Sequence, residues 1–464
     1  RENIAGQIAA IEIDFKVLAE NLRPAAIAKL SGNSSSGVGT GSGASFASRT
    51  EGFNDNGDEY AAALATHTTS GSGAASVASP SSNAVSPLVK GSKWDTVGDD
   101  SSGAGGANNL SYSFWDGSSP YNYTQGTRAT VESKGTGNTA AHRTIFERWD
   151  AISPFSLDEV TEDGDGDPVG DLRVAFTDDM PSGAAAFAYY PNSGATGGDI
   201  YYGDSVNITG VDFVDGNYNW STALHEIGHA LGLSHPFDGG AKDGSTLNLN
   251  LDFERNTVMT YIQRDRNTVI SWDGTTASYQ NIYASTPGLL DVEAIEHIYG
   301  STNWSNENGD TTYGTTNDNG FNDFDNNYDS IRTITDSGGT DTLDASNVTA
   351  TGSIINLTPG TYSSIAYYAT QADKIAAVTG GNAGATTYFT NLLTSLDSLA
   401  SAGNEFYSSY DREALYRGQD NVGIAHNTWI EHAKGGAGAD TITGNNKANE
   451  ITGNGGNDIN EYTL

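Results

Sequence analysis

Cysteine does not occur in this chain. No disulfide can staple the fold, and a cysteine nucleophile or a cysteine-ligated zinc is excluded. Cationic side chains are scarce as well: 22 Lys and Arg stand against 58 Asp and Glu, a formal charge of -36 at pH 7. A field of that sign repels nucleic acid and anionic membrane surfaces, so neither is an expected partner, whereas hard divalent cations, calcium above all, find ligands in abundance. No apolar run reaches the roughly eighteen residues that a bilayer span requires. Methionine occurs only twice, and 57 glycines point to turns and close backbone approaches rather than helical bundles. The 464 residues are enough for two or three domains. The first residue is Arg1, as expected of a chain whose leader has been removed or was never included.

Histidine is also sparse, eight in all, yet three of them fall in HEIGHALGLSHP, from His225 to Pro236. On a helix His225 and His229 leave the same face one turn apart and can pinch one ion. Gly232 can take a positive φ, end the helix and turn the chain so that His235 supplies a third nitrogen. Three neutral imidazoles suit a tetrahedral zinc with its fourth position left to water, the open arrangement of a catalytic site. Glu226 lies between the two helical histidines but off their face, where it is placed to act as base for that water.

The long-form pattern HExxHxxGxxH, together with Val258-Met259-Thr260-Tyr261 downstream, resembles the metzincin metalloproteases and specifically the serralysin group. The resemblance implies that Met259 turns the chain beneath the zinc ligands and that Tyr261 reaches toward the metal, where its hydroxyl can stabilise a developing oxyanion. It implies an α+β catalytic domain, a twisted mixed sheet plus the zinc-binding helix, followed by an all-β calcium-binding domain of parallel β-roll or sandwich form. The expected divisions are residues 1–87, an amino-terminal helix (Ile4 to Leu22 in steps of three and four) with a Ser/Gly/Ala-rich segment; 88–300, the protease domain; and 301–464, the calcium domain, with an insertion at about 366–420.

Within the protease domain Asn138 is expected to cap a helix whose apolar face is Ala141, Ile145, Trp149 and Ile152. Strands are expected at Phe155 to Val160 and Leu172 to Phe176, and a helix from Leu290 closed by Gly300. The resemblance places Gly197 to Gly203 as the rim strand of the cleft, to which an extended peptide would add itself. The Asp163 to Asp167 loop alternates carboxylates, but Val174 stands where a calcium loop needs its bidentate glutamate, so a solvated turn is expected there.

Gly435-Gly436-Ala437-Gly438-Ala439-Asp440-Thr441-Ile442-Thr443 matches the calcium nonapeptide of RTX proteins. The period continues with Asn449 and Asp458 at the position of Asp440, so a calcium held by Gly436, Gly438 and Asp440 should be shared with Asp458. By resemblance, Gly309 and Thr311 pair with Asp336, Gly338, Gly339 and Asp341 around another calcium, and Glu431 is a further ligand; Trp429 replaces a family threonine. The insertion is expected to carry a helix around Thr387 to Leu399 and aromatics at Phe406, Tyr407, Tyr410 and Tyr416. Its default is a surface insertion, with a substrate or cell-surface contact as the alternative.

Taken together, these residues and the resemblance they carry imply a secreted, monomeric zinc endopeptidase with structural calcium, acting on extended protein or peptide substrates. A proteinaceous inhibitor or the chain's own amino-terminal segment is a further candidate occupant of the cleft. The alternatives are a calcium-dependent surface or matrix-binding protein with a vestigial protease module, and an enzyme held inactive by its amino-terminal segment.

Overall fold

The computed structural model describes residues 74–82, 84–94, 109–115, 128–129, 138–162, 169–177, 184–192, 196–203, 213–261, 267–300, 309–314, 329–401 and 414–461. The helix expected from Ile4 to Leu22, the Ser/Gly/Ala-rich stretch before residue 74, the Asp163 to Asp167 loop and Phe406, Tyr407 and Tyr410 lie outside them.

The described chain begins with a strap. β1 (Ala74–Ser76) pairs antiparallel with β2 (Ser92–Trp94), and between them Val77, Val85 and Leu88 are buried in the main core. The expected division at residue 87 therefore falls inside a segment that packs as one piece with the main core. Past the strap, a sheet is ordered β5-β3-β6-β8-β7, from β3 (Asn109–Phe114), β5 (Ser156–Glu159), β6 (Leu172–Thr177), β7 (Ala186–Ala188) and β8 (Ile200–Tyr202), with β4 (Arg128–Ala129) paired to β6. β5, β3, β6 and β8 run parallel, and β7 is antiparallel to β8.

The strand at Ile200–Tyr202 is thus interior, hydrogen-bonded on both sides, and not the rim expected of Gly197 to Gly203. Its three side chains are fully buried, as a strand covered on both faces requires. The outer strand is Ala186–Ala188, which borders the helix carrying His225.

Helix α1 (Asn138–Asp150) buries Ile145 and Trp149, and Tyr112 of β3 stacks on Phe146 with centroids 3.9 Å apart. Asn138 does not cap it. It is already the first helical residue, past the N-cap position, and its side-chain oxygen and nitrogen are buried without a hydrogen-bond partner. Helix α2 (Tyr218–Ala230) carries the histidine motif and α3 (Leu289–Tyr299) ends at Gly300, φ 103, as expected. Between them β9 (Thr268–Trp272) and β10 (Ala277–Asn281) form an antiparallel hairpin.

The carboxyl-terminal half is built of short strands in two sheets. β11 (Thr312–Gly314), β13 (Thr342–Asp344), β17 (His432–Lys434) and β19 (Glu450–Thr452) form an all-parallel sheet of that order. The second is ordered β12-β16-β15-β14-β18-β20, from β12 (Arg332–Ile334), β14 (Gly352–Asn356), β15 (Tyr362–Tyr367), β16 (Val422–Ile424), β18 (Thr441–Thr443) and β20 (Ile459–Glu461). His432 pairs with Glu450 and Thr441 with Ile459, each partner two nine-residue repeats away, so successive repeats alternate between the sheets. Leu343 and Ala433 from one sheet meet Ile355 and Ile442 from the other in one buried cluster. The insertion contributes α4 (Gln371–Thr379), unanticipated in the sequence, and α5 (Ala383–Ser401), longer at both ends than the expected Thr387 to Leu399.

Candidate active site

Helix α2 starts at Asn217, whose side chain accepts from the Trp220 N–H at 2.9 Å and so satisfies one of the unpaired amides of the first turn. His225 and His229 follow on one face. The helix ends at Leu231, and Gly232 takes φ +101; a Cβ there would lie 2.5 Å from the Ser92 carbonyl oxygen of the strap, so only glycine fits. The Leu233 N–H then returns to Gly228 O at 2.9 Å, and the strap holds the turn from outside through Ser234 N–H to Leu88 O at 2.8 Å. His235 is carried back against the helix.

The three rings converge. His235 Nε2 lies 3.1 Å from His225 Nε2 and 3.0 Å from His229 Nε2. On the other side of each ring, Nδ1 faces an acceptor: Val258 O at 2.8 Å for His225, Leu233 O at 2.7 Å for His229 and Asp238 Oδ2 at 3.1 Å for His235. Since carbonyls accept only, Nδ1 of His225 and His229 carries the proton and Nε2 a lone pair. Lone pairs at such separations repel unless a cation sits among them. Burial, reinforced by His235, pushes the His225 imidazole down to about 3 and that of His229 well below its ordinary value. They are held neutral, as metal ligands must be. Among the described residues this is the one group of three or more metal-ligating side chains close enough to share an ion, and its donor set fits zinc.

Glu226 is buried with Oε2 lacking any hydrogen-bond partner, and burial pushes its carboxyl up to about 8. Tyr261 places its hydroxyl 2.8 Å from His235 Nε2. Met259 is fully buried under α2, where a Cβ on Gly228 would come within 2.5 Å of its sulfur. The turn that carries it is clamped by Asp291 of α3, which accepts from the Thr257 hydroxyl at 2.6 Å and from the Val258 N–H at 2.8 Å. Asp291 and Asp238 were not singled out in the sequence. Asp238 had a local signal, an acid three residues after the third histidine. Asp291, by contrast, meets the turn only through the fold. Tyr190, just past the outer strand β7, packs edge-on against the His229 ring at 5.2 Å.

A family model described as Matrixin, of the M10 peptidases, matches residues 121–242. Metallopeptidase AprA of Pseudomonas marginalis is 30% identical over 320 residues, 66% of this chain and 54% of the relative. A serralysin of Photorhabdus sp. (strain Az29) is 32% identical over 302 residues, 62% of this chain and 58% of the relative. Over these stretches the chain is similar to the serralysin-type metzincins. A serralysin of Photorhabdus laumondii extends the match to 385 residues at 29% identity, 80% of this chain and 65% of the relative. The chain thus spans between 54% and 65% of the length of these relatives.

The residues singled out for calcium fall in the turns between the short strands. The Thr311 N–H donates to Asp341 Oδ1 at 2.8 Å, the Asp341 N–H to Glu431 Oε2 at 3.0 Å, and Gly339 abuts the Gly309 carbonyl. Asp336 is turned inward, accepting from the Tyr313 hydroxyl and from the Gly338 N–H at 2.8 Å. Asp440 accepts from the Gly436 N–H at 2.8 Å, while its own N–H donates to Asp458 Oδ1 at 3.1 Å; Gly438 packs against the Thr351 carbonyl. Burial first, then the Asp458 charge, raises the Asp440 carboxyl. The intervening repeat differs. Asn449 accepts from the Asn445 N–H at 2.8 Å and donates to Glu431 O at 3.1 Å, and the Lys447 ammonium lies 4.8 Å over the Trp429 ring. An amide that both donates and accepts stands there in place of the carboxylate of the flanking turns.

Proposed function

We propose that the chain is a secreted zinc-dependent endopeptidase, monomeric, with calcium stabilising its carboxyl-terminal half. The convergence of three histidine Nε2 atoms beside an unpartnered, buried Glu226 carries this reading. His225, His229 and His235 would hold the zinc. Zinc when bound polarises a water and, as a neighbouring dication, favours the ionised form of Glu226. Glu226 takes the proton of the attacking water and hands it to the departing amine, serving as base and then as acid. The Tyr261 hydroxyl donates to the substrate carbonyl oxygen as charge develops there. An extended protein or peptide substrate lies along the outer strand β7, whose backbone offers main-chain hydrogen bonds without demanding one sequence.

The catalytic unit runs from the strap at Ala74 to Gly300, and the sheets beyond it form a calcium-dependent β-roll. Calcium is assigned to the Asp440–Asp458 turns, where two carboxylates share a glycine-rich site, and to the Thr311, Asp341 and Glu431 turns. Glu226→Gln should retain its metal by elemental analysis and lose casein hydrolysis by about 10³-fold. Undiminished hydrolysis would defeat the mechanism.

A further inference from the structure

The insertion is not a free lobe. It leaves the second carboxyl-terminal sheet after β15, forms α4 and α5, and returns through Ala414 to Tyr416 before β16. Its neck is closed by Arg417, which donates to the Tyr368 and Ala369 carbonyls, and by Asp397, which accepts from the Ala414 N–H at 2.8 Å.

What it covers is the β9–β10 hairpin of the catalytic half. Ile270 and Trp272 point to one face of β9, and their cross-strand partners Tyr279 and Ala277 to the same face. All four pack into the cluster whose centre is Phe389 of α5 and Leu415, both fully buried. The returning chain also bonds the hairpin directly, Thr268 N–H to Ala414 O at 3.0 Å and Tyr416 N–H to Thr268 O at 2.8 Å. A two-stranded ribbon is marginal in water by itself, so this face depends on the insertion for its order.

Both ends of the hairpin lead to the candidate active site. Thr268 follows shortly after Tyr261 in the chain. At the other end the Tyr283 N–H donates to Gly216 O at 2.9 Å, immediately before the Asn217 cap of α2, and the Tyr283 ring meets Tyr218 edge-on at 5.7 Å. Tyr218 is 49% exposed and precedes His225 by two helical turns on the same face, about 10 Å along the axis. The Tyr218–Tyr283 pair therefore stands on the face of α2 that carries the metal-binding imidazoles, two turns before His225.

We propose that the helical insertion is a positioning element: by holding the hairpin it fixes the Tyr218–Tyr283 end of the cleft for the far part of an extended peptide. This rests on the endopeptidase reading for its substrate but not for its mechanics. Cutting Phe389 back to alanine removes the centre of the cluster without touching the cleft, and Phe389→Leu refills most of the volume.

The test uses the whole chain and compares wild type, Phe389→Ala and Phe389→Leu on a peptide of about eight residues and on the shortest peptide cleaved, with zinc content measured for each. Phe389→Ala should raise KM for the long peptide about five-fold and leave the short peptide's kcat/KM and the zinc content unchanged, with Phe389→Leu restoring the wild-type value. Equal losses on both peptides, or no change on either, would overturn the proposal. Amide hydrogen exchange reads the brace without activity: faster exchange at residues 216–222 as well as 268–281 in Phe389→Ala supports the coupling, and exchange confined to 268–281 refutes it. If the wild-type chain cuts neither peptide while Phe389→Ala shows the coupled exchange, the endopeptidase reading is sunk and the brace stands.

Discussion

His235 shows how much one residue's surroundings decide. Its Nδ1 faces Asp238, its Nε2 meets two other imidazoles and the Tyr261 hydroxyl, and its position depends on the turn at Gly232. A carboxylate behind a ligand histidine orients the ring and raises its basicity. Asp238→Asn should therefore weaken zinc binding by about ten- to a hundred-fold in competition with a chromogenic chelator, with the fold intact by circular dichroism. Unchanged affinity would make Asp238 a bystander. Glu254 offers a different single-residue test. Its carboxylate is buried, accepts from the Ala284 N–H at 2.8 Å and the Ser221 hydroxyl at 3.1 Å, and is pushed up by burial to about 7 from 4.5. A folded-state value above the unfolded one means that its contribution to stability is full below pH 4.5 and is lost as pH rises through about 7. Glu254→Gln cannot ionise, so relative to wild type it should gain stability across that window, by about 3 kcal/mol at most, in denaturant titrations run at both ends of it. A difference that does not vary with pH would contradict the assignment.

Among elements, the histidine helix and its turn were legible because every residue that shapes them lies within one short stretch. The nine-residue period of the carboxyl-terminal repeats was legible for the same reason, and their strands pair with the offset that period implies. The rim strand was not. Ile200–Tyr202 could be read as a strand, but whether a strand is interior or outer depends on which neighbours pair with it, and β7 takes the outer place. Helix α4 was not legible because it is short and covered mainly by α5 and the hairpin, with Ile375 its one buried large apolar side chain. The alternate turns of the repeats differ in a way that can be measured. Asp440→Ala should lower the increment in unfolding temperature produced by calcium, whereas Asn449→Ala should lower stability equally with and without calcium, since amides alone close its turn. Equal loss of the calcium increment in both variants would contradict this division.

The molecule as a whole joins the half with the histidine motif to the repeat half through contacts distant in sequence: α5 on the β9–β10 hairpin, Arg255 paired with Asp420 at 2.5 Å, and Tyr362 bonded to Asn256 at 2.6 Å. No sequence period announces such contacts, and the same holds for Asp291 under the methionine turn. The negative charge was legible from composition alone. No helix among the described residues is long and apolar enough to cross a membrane. The claim on which the rest depends is that His225, His229 and His235 hold one catalytic zinc. The most direct measurement is a zinc titration of the chelator-stripped chain, with bound metal and casein hydrolysis followed together in calcium-containing buffer. Hydrolysis should rise in proportion to zinc and stop at one equivalent per chain, and His235→Ala should bind little and cut nothing. Hydrolysis that is already complete before zinc is added, or that is absent with the site filled, would contradict the account.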